Sequence, residues 1–177
     1  MAPKVEIKIE RMYPQKTVVL MWNPSISSYT MDRFEEDLRS LASGWGPDDF
    51  NWSVWDYENA RDDDRFFMVK VGPVTNGIVM SGTFSSNPYK DEDWSGKGRE
   101  VYYMDMLVEE MIHPERCPII TSEKLAAEIP DFNWAGGHSG QILSEEQADK
   151  LNMLWNDYLD EHSDIFLPRA ARVMDWD

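Results

Sequence analysis

Hydrophobic positions in the first two-thirds of the chain recur mostly with the period of β-strands. In VEIKIE, residues 5 to 10, Val5, Ile7 and Ile9 alternate with polar residues and share one face. KTVVLMW, residues 16 to 22, is instead continuously apolar, as a buried strand would be. Asn23-Pro24 ends that run, because proline cannot donate to a ladder. Over residues 30 to 43, TMDRFEEDLRSLAS, the period changes: Met31, Phe34, Leu38 and Leu41 fall on one helical face, with Thr30 able to cap the start and Gly44 the end. Strand-like segments resume at 52–57, 65–71, 77–86 and 100–109. GPVTNG between the second and third reads as a hairpin loop, and Gly82 inside a strand predicts a bulge or a close backbone approach.

Helices return near the end. Ser122 is expected to open a short one at EKLAAEI. Ser144 opens a longer one, with Gln147 completing a capping box and Ala148, Leu151, Trp155, Tyr158 and Leu159 forming its apolar stripe. Residues 1–16 read as an N-terminal strand extension, 17–162 as a single domain, and 163–177 as a loose tail in which Trp176 can dock. A chain of 177 residues is long enough for one full core. The pattern predicts an α+β fold: a mixed, mostly antiparallel sheet or small barrel with a few covering helices.

Charge changes the picture most. Thirty-three acidic residues against seventeen basic ones give a net charge of −16, which argues against nonspecific affinity for nucleic acid or anionic lipid. The acids cluster in DYENARDDD (56–64), in KDEDW (90–94) and at the C-terminal end. No apolar run is long enough to cross a membrane as a helix, and the N-terminus lacks the apolar core of a signal peptide. Cys117 has no cysteine to pair with. These features suit a cytoplasmic protein with no membrane association.

One cysteine and three scattered histidines, His113, His138 and His162, do not compose a zinc ligand set, and no calcium-loop frame appears. No phosphate-cradling glycine motif exists either. No metal and no cofactor are expected. The stretch WAGGHSGQIL, residues 134 to 143, comes nearest to catalytic chemistry, but Gln141 stands where G-x-S-x-G requires its second glycine. His138 is the sequence neighbour of Ser139, and adjacent side chains diverge, whereas a general base must reach the hydroxyl. The chain is therefore read as a non-enzyme. Two readings of the loop stay open: a turn in which Ser139 bonds backbone, or a loop that contacts a ligand.

Five stretches taken in order resemble the EVE-type domains of the PUA-like superfamily, relatives of the YTH and ASCH domains. They are Met21-Trp22-Asn23-Pro24; YTMDRFEEDL (29–38); WSVWDYENAR (52–61); DDRFFMVKVG (63–72); and GIVMSGTFSSNPYKD (77–91). The SG turn at Ser139-Gly140 is similar to the pocket-closing loop of related modules. The likeness covers roughly residues 17 to 145. It departs at Trp22, where the family has lysine, and at Asp63, where it has glycine.

The resemblance implies a PUA-like β-barrel and a reader rather than a catalyst: an aromatic-walled pocket for a modified DNA or RNA base, a nucleotide or a similar small planar ligand. Its candidate walls are Trp22, Trp52, Tyr57 and Trp134. Its candidate edge-reading groups are Asn23, Asn59, Ser81 and Ser139, with Gly140 beside them and Arg61 at the rim. Lys70, Lys97 and Arg99 are further rim candidates. Ser139 is expected to face a pocket shared with Trp134 and the Trp22–Asn23 turn. The rival from a different class is an interaction module whose acidic face docks on a basic protein partner.

Overall fold

β1 (Thr17–Trp22) is buried at every position, and the computed structural model, which describes residues 13–47, 49–92 and 100–166, shows why. Its alternate side chains enter two different cores. Val18, Leu20 and Trp22 face α1 (Met31–Ala42), through Phe34, Leu38 and Leu41. Val19 and Met21 face the helices at the other end of the chain, through Leu125, Leu151, Trp155 and Tyr158. A strand covered on both faces has no polar side to show, hence the unbroken run.

The remaining strands are β2 (Asn51–Ser53), β3 (Arg65–Lys70), β4 (Gly77–Phe84), β5 (Tyr89–Glu92), β6 (Glu100–Met111) and β7 (Gln141–Ile142). They form one sheet in the order β2-β6-β4-β3-β1-β7, with β5 also on β6. Among the described residues only β1 and β3 run parallel; the other pairs are antiparallel. The sheet curls until its two edges meet. Trp55 N donates to Ser139 O and Asp56 N to Gly140 O, each at 3.0 Å, while Gly140 N donates to Val19 O at 2.8 Å. The expected α+β, mostly antiparallel architecture is the observed one. A register shift between Ser81 and Gly82 supplies the expected irregularity. A Cβ on Gly82 would lie 2.1 Å from Leu107 O, so glycine is required there by the approach of β6.

Caps follow the sequence in two helices of three. The Thr30 side chain accepts from Arg33 N at the start of α1. Ser144 and Gln147 complete both bonds of the capping box that opens α3 (Glu145–Glu161). In α2 (Ser122–Glu128), by contrast, Thr121 is the cap, accepting from Lys124 N, and Ser122 is the first helical residue. The expected tail begins with a short helix, α4 (Ser163–Phe166), whose Phe166 packs 6.0 Å from Tyr158. The 5–10 strand, Lys97, Arg99 and Trp176 lie outside the described residues. The expected strand at 52–57 stops at Ser53; the backbone of 55 and 56 turns to the Ser139–Gly140 segment, and Asn59 N and Ala60 N close a turn on Asp56 O.

α1 is tied to the sheet by a buried histidine. His113 accepts from Glu115 N through Nδ1 at 3.2 Å and faces Glu35 Oε1 through Nε2 at 2.9 Å. The first bond makes Nδ1 the unprotonated nitrogen, so Nε2 donates to the carboxylate.

The turn into β3 explains the departure at Asp63. Its φ is +69°, the left-handed region where glycine is strain-free. Aspartate tolerates that region better than most residues, at some cost. Its neighbour Asp64 is buried and accepts from Lys16 N at 2.9 Å and Arg61 N at 2.8 Å. Burial pushes its carboxyl above the usual range, and the two N–H donors oppose that shift. Asp63→Gly should therefore stabilise the protein by up to about 1 kcal/mol, the relief of left-handed strain outweighing glycine's extra unfolded-state entropy. A urea midpoint lower than wild type would refute this account.

Candidate ligand-binding site

Gly140 organises the site. Its φ of +92° turns the chain between β7 and the preceding loop. That turn aims the carbonyls of Ser139 and Gly140 at Trp55 and Asp56, away from β1. The ladder to β1 would then leave Met21 N without an acceptor. The Ser139 hydroxyl fills the gap: Oγ accepts from Met21 N at 2.9 Å. It accepts a second bond from Trp52 Nε1 at 3.0 Å. The serine thus ties the end of β1 and a half-buried indole to one oxygen.

Around that indole lies an aromatic corner. Trp52 stands 5.9 Å from Tyr29 and 6.1 Å from Phe50 between ring centroids, and Tyr29 lies 5.1 Å from Phe50. Tyr29 is buried, and its hydroxyl donates to Asp37 Oδ2 at 2.6 Å. Burial, then the Asp37 carboxylate, raises the phenol far above its ordinary value, so it is a fixed donor. Phe50 and Trp52 are only half-buried, packed at the border of the α1-side core. Beside the corner, Trp55 is 58% exposed, and His138 stacks on it at 3.5 Å with only 2° between the planes.

The arrangement answers the question of nucleophilic chemistry. Both lone pairs of Ser139 Oγ are occupied as acceptors. The adjacent imidazole is turned onto Trp55, and among the described residues no histidine or carboxylate receives the serine proton. Nothing here activates the hydroxyl. Among the described residues no cluster of metal-ligating side chains occurs either.

The structure divides the expected site residues. Trp52 and Ser139 come together, and Gly140 supports them from the strap, residues 139–140, that joins the two sheet edges. Trp22 does not form an open wall: it is 1% exposed, stacked 5.1 Å from Phe34, with Nε1 donating to Tyr29 O. Trp134 is buried on the other face of the sheet, donating to Ile129 O and packed 4.5 Å from Phe132. It therefore shares no pocket with Ser139. Ser81 also lies on that face, paired with Phe67 and fully buried. Asn23 spends Oδ1 on Ser25, in a local turn packed against Gly72.

Tyr57, Asn59 and Arg61 belong to a second locality. Tyr57 stacks on Tyr102 at 3.7 Å. Asn59 offers its carbonyl to the Lys16 ammonium. The Arg61 guanidinium lies 3.6 Å over the Tyr13 ring, in a cleft of about 230 Å³ lined also by Gln15, Asp62, Asp63 and Asp64. Lys70 is not a rim residue. It is 4% exposed, and its ammonium donates to Pro73 O, Thr75 O and Asn76 Oδ1, holding the β3–β4 loop from within. Burial lowers its pKa. Arg61 and Lys70 sit near opposite ends of β3, so the fold does not gather them into one basic rim.

Sequence reasoning missed Phe50, Trp55 and His138 and left Tyr29 unassigned. Tyr29 stands at the head of the 29–38 stretch, one residue before the α1 cap. The pairing of Trp55 with His138 joins positions far apart in sequence, and no local periodicity announces it.

No family model and no curated protein matches the chain. Solved structures do. A hypothetical protein from Leishmania major aligns with a TM-score of 0.52 at 11% identity, over 85% of this chain and 99% of that one. The YTH domain of Mmi1 in an RNA complex aligns at 0.48 and 9% identity, over 84% and 85%. Rpa0253 from Rhodopseudomonas palustris aligns at 0.47 and 18% identity, over 78% and 94%. The Leishmania likeness shows a shared fold.

Proposed function

We propose that this chain is a non-catalytic binding module whose aromatic corner takes a planar heteroaromatic ring. The observation that carries this reading is the Trp52–Ser139 bond. A partly exposed indole is a preorganised stacking surface when its plane is held, and Oγ holds it at 3.0 Å from an anchored strap. Stacking on an indole suits any π-face and is worth about 1–3 kcal/mol per base. The likeness of the five sequence stretches to EVE-type domains favours a modified nucleobase of DNA or RNA as that ring. The −16 charge favours a nucleoside or an isolated unpaired base over a long polyanion.

The other expectation, docking on a basic protein, has the exposed acids of α3 behind it, among them Glu145, Glu146, Asp149, Asp157, Asp160 and Glu161. Solvated acidic faces are common, so the aromatic corner is the stronger basis for function.

The test is a calorimetric titration of the full chain with a panel of unmodified and methylated nucleosides. Trp52→Ala should weaken the best binder by about five- to hundredfold, the worth of one stacked ring. Trp52→Phe, which keeps a ring but not the Nε1 donor, should weaken it less. Absence of binding across the panel, or equal binding by wild type and Trp52→Ala, would overturn the proposal.

A further inference from the structure

The second feature of the strap is the Trp55–His138 stack. Its geometry, 3.5 Å between centroids and 2° between planes, is that of a base on an indole. The two partners are held very differently. Trp55 is anchored through its backbone N–H to Ser139 O at 3.0 Å, on the segment that joins the sheet edges. His138 is exposed, and among the described residues neither ring nitrogen has a hydrogen-bond partner. It follows Gly136, which has open space at its Cβ position, and Gly137, at φ +94°. Only the stack holds the imidazole, so it can leave without breaking a hydrogen bond. The backbone that carries the platform is fixed, and the cover is loose.

We infer that Trp55 is a second stacking position for a neutral heteroaromatic ring of nucleobase type, and that His138 is an internal stand-in which the ligand displaces. The inference rests on the reading of the chain as a ring-binding module and adds to it a built-in competitor. A bicyclic purine overlaps an indole over more area than an imidazole does, so it replaces the histidine with a net gain. The stand-in lowers apparent affinity by the fraction of molecules in which Trp55 is uncovered. It also keeps 58% exposed indole from presenting both faces to other surfaces.

Adenosine and a short single-stranded adenylate oligonucleotide serve as probes, followed by NMR on the full chain. His138→Ala should bind adenosine roughly two- to tenfold more tightly than wild type, one aromatic stack no longer having to be broken. Trp55→Ala should bind more weakly. In wild type, saturation should move the His138 ring protons out of the indole's shielding toward free-histidine positions. Stronger binding by the oligonucleotide assigns the base to a strand; equal or weaker binding assigns it to a free nucleoside. Weaker or unchanged binding by His138→Ala, or His138 protons unmoved at saturation, overturns the inference. If adenosine then still perturbs Trp52, the aromatic-corner reading survives alone. If no variant binds either probe or any nucleoside of the panel, both fall.

Discussion

Gly140→Ala should be among the most destabilising single substitutions in the chain, with an expected loss above about 3 kcal/mol. Two costs add. Alanine at φ +92° is placed in a region that L-residues rarely adopt, costing roughly 1–2 kcal/mol. The new Cβ would also meet backbone: Val54 Cα at 2.5 Å and Trp55 N at 2.7 Å. A flexible side chain could swing aside, but these atoms belong to the segment that Gly140 itself hydrogen-bonds. Relief requires the strap to lift, which breaks Asp56 N→Gly140 O and Gly140 N→Val19 O together. The edges of the sheet would then part. Against a total stability of about 5–15 kcal/mol, such a loss is large. Urea unfolding followed by tryptophan fluorescence measures it. A shift worth less than about 1 kcal/mol would mean that the edge contact is dispensable, contrary to the close approach described here.

How much of this was legible beforehand depends on whether the deciding interaction is local. The α1 face, the capping box at Ser144 and the stripe on α3 depend on neighbours within four residues, and the structure has them as read. The strand at β1 was legible because burial on both faces leaves a continuous apolar run. The parallel pairing of β1 with β3 was not, since it joins segments separated by a helix and a strand. β7 was missed because two residues carry no periodicity.

The aromatic residues divide on the same principle. Eight tryptophans read alike in a sequence. Which are core and which are surface is set by the partners that reach them: Phe34 and Tyr29 O for Trp22, Ile129 O and Phe132 for Trp134, Ser139 Oγ for Trp52. The departures from the EVE-type pattern now have separate physical readings. Asp63 occupies the backbone conformation that favours glycine. Trp22, in place of lysine, puts its side chain into the α1-side core and removes a charge from the end of the first strand.

Ser139→Ala is the substitution on which the two open readings of the glycine-rich loop separate. A hydroxyl that only touched a ligand would be removed at no cost to the fold, with a loss in binding of about 0.5–1.5 kcal/mol. The geometry predicts otherwise. Alanine leaves Met21 N and Trp52 Nε1 without their acceptor, and each orphaned donor costs about 1–3 kcal/mol according to how much water replaces the oxygen. Both sites are partly buried, so a combined loss of about 2–3 kcal/mol is expected in urea unfolding. Two further measurements locate it. Amide exchange should quicken at Met21, and the Trp52 indole N–H resonance should shift and lose protection. Trp52→Phe removes one of the two donors beforehand, so Ser139→Ala should cost about 1 kcal/mol less in that background, a coupling that a double-mutant cycle reads directly. Threonine keeps the oxygen and should recover most of the loss. Additive effects of the two substitutions would show that Oγ does not hold the indole, and would remove the fixed plane on which ring binding at Trp52 depends. Covalent capture of Ser139 by a fluorophosphonate would contradict the assignment more deeply, because an oxygen already accepting two hydrogen bonds, with no base among the described residues to take its proton, is not activated.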